Sequence, residues 1–450
     1  MTKNRQPFVL LSDGMAEAVY KAEEKETQFA IYRDDGSITY EKSIKMHGGE
    51  ILPPDPKSDV VSKGVVLFPV RAEEYGSDDE LRREVQEFIH AYVDISPQFE
   101  QIATDYVFLT WMFDRFDELP YLRVRGDYGS GKSRFLFTVG SICYRPILTG
   151  GATTPSPIFR ILDGMRGTLL LDEADFRFSD EKADIVKILN IGYQKGAVVL
   201  RSEGRGTFEV KAYNPYGPKI VATRQNFNDQ ALESRFLVED MGREKLREDI
   251  PVRLNDLFRE NALVLRNKLL MWRFHNYRKE LVFDDTPIPD IHPRLRQIIM
   301  PLLALTKDEK MREVLIEQAR AYGSELAANR GLTWEYDIIL AVLRLSRREQ
   351  RGVFTIREIT DEANRGMEFE DDRLKPRKVG WLLRTRLQLK LEERGRGGYS
   401  LSISRNQERL DFWKKRLSIT DMVIEDSTVN DVHVVNDTSS DYIRPEDIPF

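Results

Sequence analysis

The sequence predicts an α/β fold with a mostly parallel sheet, preceded by a small β-rich region and followed by helical ones. Three observations predict it. Short apolar runs at YLRVRG (121–126), GTLLLDE (167–173) and GPKIVATR (217–224) alternate with helical or hairpin material across 119–242, the pattern of strands joined by crossover helices. A glycine-rich segment separates the first run from the helix-forming stretch SRFLFTVGSICY (133–144). Beyond residue 243 the β pattern gives way to helical periodicity.

In chain order, residues 1–75 read as a small β-rich domain. TQFAIYR and SITYEKSIKM are strand-like and are punctuated by the turn residues DDG and HGGE. Residues 76–118 form a helical linker carried by EVQEFIHAYV and TDYVFLTWMFDRF. The α/β core occupies 119–242, and 243–331 reads as an all-helical lid and connector. Residues 332–405 give three helices, at 334–350, 355–366 and 374–389, and then the hairpin KLEERGRGGYSLSIS. A last helix covers 406–420. Residues 421–450 read as an acidic flexible tail, rich in Asp, Ser, Thr and Asn without sustained periodicity.

Composition excludes several classes. Of 450 residues, 41% are hydrophobic and 10% aromatic, too many for a disordered chain. The single cysteine, Cys143, excludes a disulfide framework and a cysteine-cluster zinc site. The five histidines (47, 90, 275, 292 and 433) have no ligand spacing. No apolar run approaches the roughly 18 residues of a spanning helix, and the first residues lack a signal-peptide pattern. The expected location is therefore cytoplasmic, with no membrane partner.

The net charge of −6 argues against nucleic acid only until it is located. Residues 421–450 hold eight acids against Arg444, and taking away those seven net negative charges leaves the remainder at +1. Residues 373–405 carry ten Lys or Arg against Glu392 and Glu393. A concentrated basic stripe says more about partners than the sum does.

Gly126-Asp-Tyr-Gly-Ser-Gly-Lys132-Ser133 fits G-x-x-x-x-G-K-[ST], after a strand and before a helix. Gly126, Gly129 and Gly131 let backbone N–H groups turn toward phosphate oxygens at a positive helix end. Lys132 is suited to the β- and γ-phosphates of ATP and Ser133 to Mg²⁺. Forty residues on, the apolar run 168–171 ends in two carboxylates. Asp172 is expected to hold the Mg²⁺ water shell, and Glu173 to polarise the attacking water as general base.

Together with ALESRF and PRLRQI downstream, these motifs resemble the AAA+ ATPases, P-loop NTPases with a helical lid. Within them they resemble the minichromosome-maintenance-like and superfamily-3-like replicative helicases of mobile elements and viruses. The resemblance spans about 119–405. It implies that Arg235 of Glu233-Ser234-Arg235-Phe236 is an arginine finger for a neighbouring subunit's ATP. It places Thr223 or Arg224 at the sensor-1 position, where the family's usual asparagine is not found. Arg296 takes the place of a sensor-2 arginine. The segment 197–214 (AVVLRSEGRGTFEVKAYN) reads as a hairpin; the resemblance makes it a pore hairpin gripping single-stranded DNA through Arg205, with Arg201 and Lys211 on its arms.

Residues 332–405 resemble a winged-helix domain. By 3.6 periodicity Val379, Leu382, Leu383 and Leu387 share one face of its third helix. The opposite face carries Arg377, Trp381, Arg384 and Gln388, suited to a duplex groove. Arg394 and Arg396 are expected at the wing tip. The reading is a DNA helicase or translocase assembled as a homo-oligomeric ring, a hexamer, using ATP and Mg²⁺ in DNA replication. Two alternatives stand beside it: a non-translocating AAA+ initiator or loader, and a winged-helix regulator that uses ATP for assembly.

Overall fold

A computed structural model describes residues 4–424 except 47–48, 151–152, 173–179, 204–208, 225, 228, 243–246, 284–287, 290, 292, 307, 331–333, 350–351, 366–372, 395–397, 418, 420 and 422–423. The chain divides into two units, 1–324 and 325–450.

The first unit is organised by a five-stranded parallel sheet. Its strands are β1 (Tyr121–Arg125), β2 (Ile147–Thr149), β3 (Leu169–Leu171), β4 (Lys219–Thr223) and β5 (Phe236–Asp240). Across the sheet they run β5-β1-β4-β3-β2, all parallel. These strands are apolar and covered on both faces, as a parallel sheet requires. Because β4 lies between β1 and β3, the loops leaving these three neighbours share one edge, where open α/β sheets bind ligands. This is a mixed α/β architecture consistent with a P-loop NTPase-like core.

Helix Lys132–Ile142 packs on the sheet so closely that a Cβ on Gly140 would meet Leu170 Cδ1 at 2.3 Å. Helix Pro97–Met112, capped by Ser96, is buried along almost its whole length. Its Tyr106 hydroxyl donates to the Lys219 carbonyl (2.9 Å) and its Trp111 indole to the Ile142 carbonyl (3.0 Å).

The N-terminal region forms a four-stranded antiparallel meander (8–11, 14–21, 26–33, 38–41) and a three-stranded sheet (4–5, 49–52, 44–46). Buried Glu17 ties the meander to the core. It accepts from Arg273 Nε (2.7 Å) and the Tyr144 hydroxyl (2.9 Å) and pairs with Arg145. Arg273 also forks onto Asp114 at 2.7 and 2.9 Å. Burial pushes the Asp114 carboxyl up, but the adjoining Arg273 guanidinium outweighs it and holds its pKa below the usual range.

Within 243–331, the stretch read as lid and connector, helix Asp256–Asn276 packs on the body: Arg266 donates to the Ser141 carbonyl (2.6 Å), and Asn267 Oδ1 accepts from the Val70 amide (3.0 Å). Among the described residues no helix is long and apolar enough to cross a membrane.

The second unit holds helices Trp334–Glu349, Ile356–Ala363 and Pro376–Trp381, a π turn over Leu382–Arg386, and helix Ile403–Arg416. Strands 353–355, 398–402 and 391–394 make an antiparallel sheet in that order. Its core joins Ile338, Val342, Phe354, Ile359, Val379, Leu383, Leu401 and Leu410. The third helix was expected to run unbroken from 374 to 389. It changes pitch at Leu382, where the Leu387 amide reaches back five residues to the Leu382 carbonyl (2.9 Å).

Candidate nucleotide and nucleic-acid sites

The glycine-rich loop Gly126–Gly131 leaves β1 after Arg125 and enters helix Lys132–Ile142 through Gly131, its N-cap, at φ 91°. Two glycines here are needed for different reasons. A Cβ on Gly126 would stand 2.6 Å from the Met241 carbonyl oxygen and 2.7 Å from Ser130 Oγ, so only bare backbone passes. Gly129 has open space but sits at φ 79°, which L side chains rarely adopt. Lys132 Nζ donates to the carbonyls of Gly126 (2.7 Å) and Asp127 (2.6 Å), so the ammonium lies across the loop it follows. Ser133 is exposed in the first helical turn.

Two other strand ends close on this loop. The Gly126 amide donates to the Thr223 carbonyl (3.2 Å), and the Met241 amide to the Arg125 carbonyl (2.6 Å). Thr223 is fully buried, and its Oγ1 has no hydrogen-bond partner among the described residues. Arg224 beside it is exposed. Asp172 follows β3 and is half-buried, while Glu173 lies outside the described residues. Among the described residues no cluster of three or more His, Cys, Asp or Glu could hold a metal ion.

Sequence reasoning passed over a polar assembly just behind the loop. Arg123 is fully buried and bidentate to Glu233 (2.5 and 2.7 Å), and the Tyr322 hydroxyl donates to the same carboxylate at 2.8 Å. Arg123 Nη2 also reaches Asn226 Oδ1 at 3.0 Å; Arg125 Nη1 donates to the same oxygen and Nη2 to Asp240 (2.7 Å). The available signal was two arginines at alternate positions of an otherwise apolar strand, which places both on one face.

Arg235 and Arg296 are not brought to the phosphate loop of their own chain. Arg235 precedes β5 beside Tyr121, at the edge of the sheet opposite Gly126. It was expected to project toward a neighbouring subunit, yet it is only 5% exposed. Its guanidinium lies over Tyr193 at 4.3 Å and donates to Asn190 Oδ1 at 2.5 Å. Arg296 lines a cavity of about 860 Å³ with Arg115, Glu118, Phe283 and Met300, again before β1 begins.

The expected hairpin is present as Val199–Glu203 paired antiparallel with Glu209–Tyr213. Arg201 stands directly opposite Lys211, which puts them on one face. Arg201 turns toward its own subunit, pairing with Asp184 (3.2 Å) and lying over Phe159 (5.1 Å). Lys211 is exposed. Leu200 and Val210 leave the other face apolar and 63% and 68% exposed. Arg205 lies outside the described residues.

In the second unit, Val379, Leu382, Leu383 and Leu387 are buried while Arg377, Trp381, Arg384 and Gln388 are exposed. Arg384 lies over the Tyr399 ring at 4.6 Å. Arg394 ends its strand, and Arg396 lies outside the described residues.

No family model matches the chain, and no curated protein does. Among solved structures it is similar to the apo NrS-1 C-terminal region (9% identity, TM-score 0.37, 86% of this chain and 96% of that one). It is also similar to the SCCmec type IV Cch active helicase (12%, 0.34, 93% and 100%) and to a JCV helicase (14%, 0.23, 59% and 65%). With TM-scores below 0.5, these likenesses leave the assignment to the site's own residues.

Proposed function

We propose that this chain is an Mg²⁺- and ATP-dependent DNA helicase or translocase that works as a homo-hexameric ring, in the replication of a mobile element or virus. The observation that carries the reading is the phosphate loop at the edge shared by β1, β4 and β3. The residues fit a nucleoside triphosphate. Gly126 leaves no room for a side chain beside Met241, Gly129 and Gly131 take left-handed backbone, and the loop opens a helix N-terminus. The buried Thr223 hydroxyl supplies an unspent polar group beside it.

A bound Mg²⁺ supplies charge neutralisation across the terminal phosphates. In this reading Lys132 leaves the Gly126 and Asp127 carbonyls for phosphate oxygens, Ser133 and Asp172 hold the metal, and Glu173 takes a proton from the attacking water. Thr223 or Arg224, with Asn226 close behind, supplies the polar group near the γ-phosphate. Arg235 and Arg296 lie at the opposite sheet edge, so in this reading their role at phosphates is on a neighbouring subunit's nucleotide. For Arg235 that role requires leaving Tyr193 and Asn190.

The hairpin carrying Arg201, Arg205 and Lys211 grips single-stranded DNA. The 332–405 module acts as a winged helix on duplex, through Arg377, Trp381 and Arg384 with Arg394 and Arg396 at its wing. The test is strand displacement on a forked duplex with and without ATP. Unwinding that requires ATP and disappears in Lys132→Ala supports the reading. Hydrolysis without unwinding overturns translocation and leaves the initiator or loader.

A further inference from the structure

The acidic residues 425–450 follow directly on a basic C-terminal region, and the last described acid before them, Asp421, is held by two of its cations. Asp421 is paired with Lys414 at 2.8 Å and with Arg347 at 3.6 Å. Beyond Ile424, which is buried in the core of the unit, the sequence carries seven acids against Arg444. Residues 373–416, by contrast, hold fourteen Lys or Arg against four acids. Asp421, four residues before the acidic segment, thus lies beside the last turn of helix Ile403–Arg416, where Lys414, Lys415 and Arg416 stand together.

From that turn a band of cations and aromatic rings leads to the third helix. Phe412 is 44% exposed and lies between two guanidinium groups, Arg416 at 5.9 Å and Arg409 at 4.9 Å from its ring centre. Arg409 donates to Gln388 Oε1 at 2.5 Å, which joins this helix to the end of the Pro376–Arg386 stretch. One turn back from Gln388 lies exposed Arg384, and beyond it Trp381, 53% exposed. Exposed rings interleaved with guanidinium groups suit a ligand that is anionic and has flat or apolar parts of its own.

We infer that residues 425–450 dock on this band, from Lys414 through Phe412 and Arg409 to Arg384 and Trp381. Their chemistry fits. Val432, Val434, Val435, Tyr442 and Ile443 alternate with the acids, so the segment offers apolar side chains to the rings as well as carboxylates to the cations. Reach is sufficient: these residues span up to roughly 85 Å when extended, whereas helix Ile403–Arg416 is only about 21 Å long. Resting on the DNA-binding reading above, the same docking makes the segment a competitor of DNA for the third helix.

The test uses a fluorescein-labelled peptide of residues 425–450, titrated by anisotropy with the chain ending at Ile424 and with the full chain. Saturable binding is expected with the shortened chain, weakened about tenfold or more in the full chain, where the site is already filled. Arg384→Glu and Arg409→Glu should each weaken it about tenfold, and a peptide with its acids replaced by amides should not bind. Absence of saturable binding overturns the inference, as does binding that neither reversal changes. A parallel titration with a single-stranded oligonucleotide separates the two readings. Tighter DNA binding by the shortened chain, by about tenfold, supports competition. If neither chain binds DNA while the peptide still docks, the proposed function fails and the docking stands.

Discussion

Lys132 and Gly126 hold one another across the phosphate loop, the ammonium donating to the carbonyl at 2.7 Å. The ammonium already makes charge-assisted bonds to these carbonyls, but a phosphate adds a full opposite charge that a neutral carbonyl lacks, so it is the stronger partner. The proposed function requires nucleotide to draw Lys132 away. Lys132→Ala should lower steady-state ATP hydrolysis by about 10²–10³, the usual cost of losing one transition-state charge donor. Its melting temperature should stay close to wild type, because water reaches the carbonyls that Lys132 vacates.

Gly126 and Gly129 separate two kinds of constraint within one loop. In Gly126→Ala the new methyl would meet the Met241 carbonyl at 2.6 Å, and backbone cannot swing aside as a flexible side chain does. The loop must move off β5, and nucleotide affinity should fall at least about tenfold. Gly129→Ala meets nothing within 4 Å and carries only the cost of its left-handed backbone, about 1 kcal/mol. It should bind nucleotide nearly as well as wild type. Titration with a fluorescent ATP analogue compares the two, and equal losses would contradict the close-approach account of Gly126.

The local patterns in the sequence foretold what depends on local patterns. Strand, glycine turn and helix around Gly126–Ser133 follow from chain-local chemistry, as does the 3.6 spacing that separates Val379 and Leu383 from Trp381 and Arg384. What escaped was set by contacts distant in sequence. Glu17 reads as one polar residue in a strand, yet it is buried against Arg273, 256 positions away. Arg123 and Arg125 belong to a run that reads as apolar, and their partners Glu233, Asp240 and Asn226 lie more than a hundred positions away. Arg235 followed a short motif, but neither its burial nor its stacking on Tyr193 is written in neighbouring residues.

The Glu17–Arg273–Asp114 cluster should dominate acid stability. Arg273→Ala takes the cation from Asp114 and leaves Glu17 to Arg145 and Tyr144, and should cost about 3–5 kcal/mol in chemical denaturation, the range for breaking a buried pair. The pH dependence has a definite sign. Asp114 has a folded pKa below its unfolded value, so its contribution is complete above the ordinary Asp pKa of about 3.9 and is lost as pH falls through the lower folded value. Asp114→Asn should therefore be less stable at neutral pH and lose less on acidification below about pH 4. An unchanged acid limb in the melting curves would contradict this assignment.

Trp381 and Leu383 are two positions apart and should fail in different ways. Trp381 is 53% exposed, so Trp381→Ala should change stability by less than about 1 kcal/mol. Leu383 is fully buried, and Leu383→Ala should cost about 2–5 kcal/mol. Duplex affinity should fall in Trp381→Ala at constant fold, because the ring lies on the helix face proposed to enter the groove. Paired melting and DNA-binding curves on each variant make the comparison.

Asn226 offers the sharpest separation of structure from chemistry. Its Oδ1 receives two guanidinium groups, Arg123 at 3.0 Å and Arg125. Arginine donates and never accepts, so the oxygen must face them and the amide nitrogen must face away. Asn226 is exposed, and Arg125 immediately precedes the phosphate loop. Asn226→Asp preserves the shape and gives both arginines a better acceptor, so the protein should melt at or above the wild-type temperature. The same change replaces two N–H donors by a carboxylate that repels phosphate. If Asn226 serves the nucleotide, kcat for ATP hydrolysis should drop by about 10² or more in a fully folded protein. A merely structural residue would give the same melting behaviour with hydrolysis unaltered.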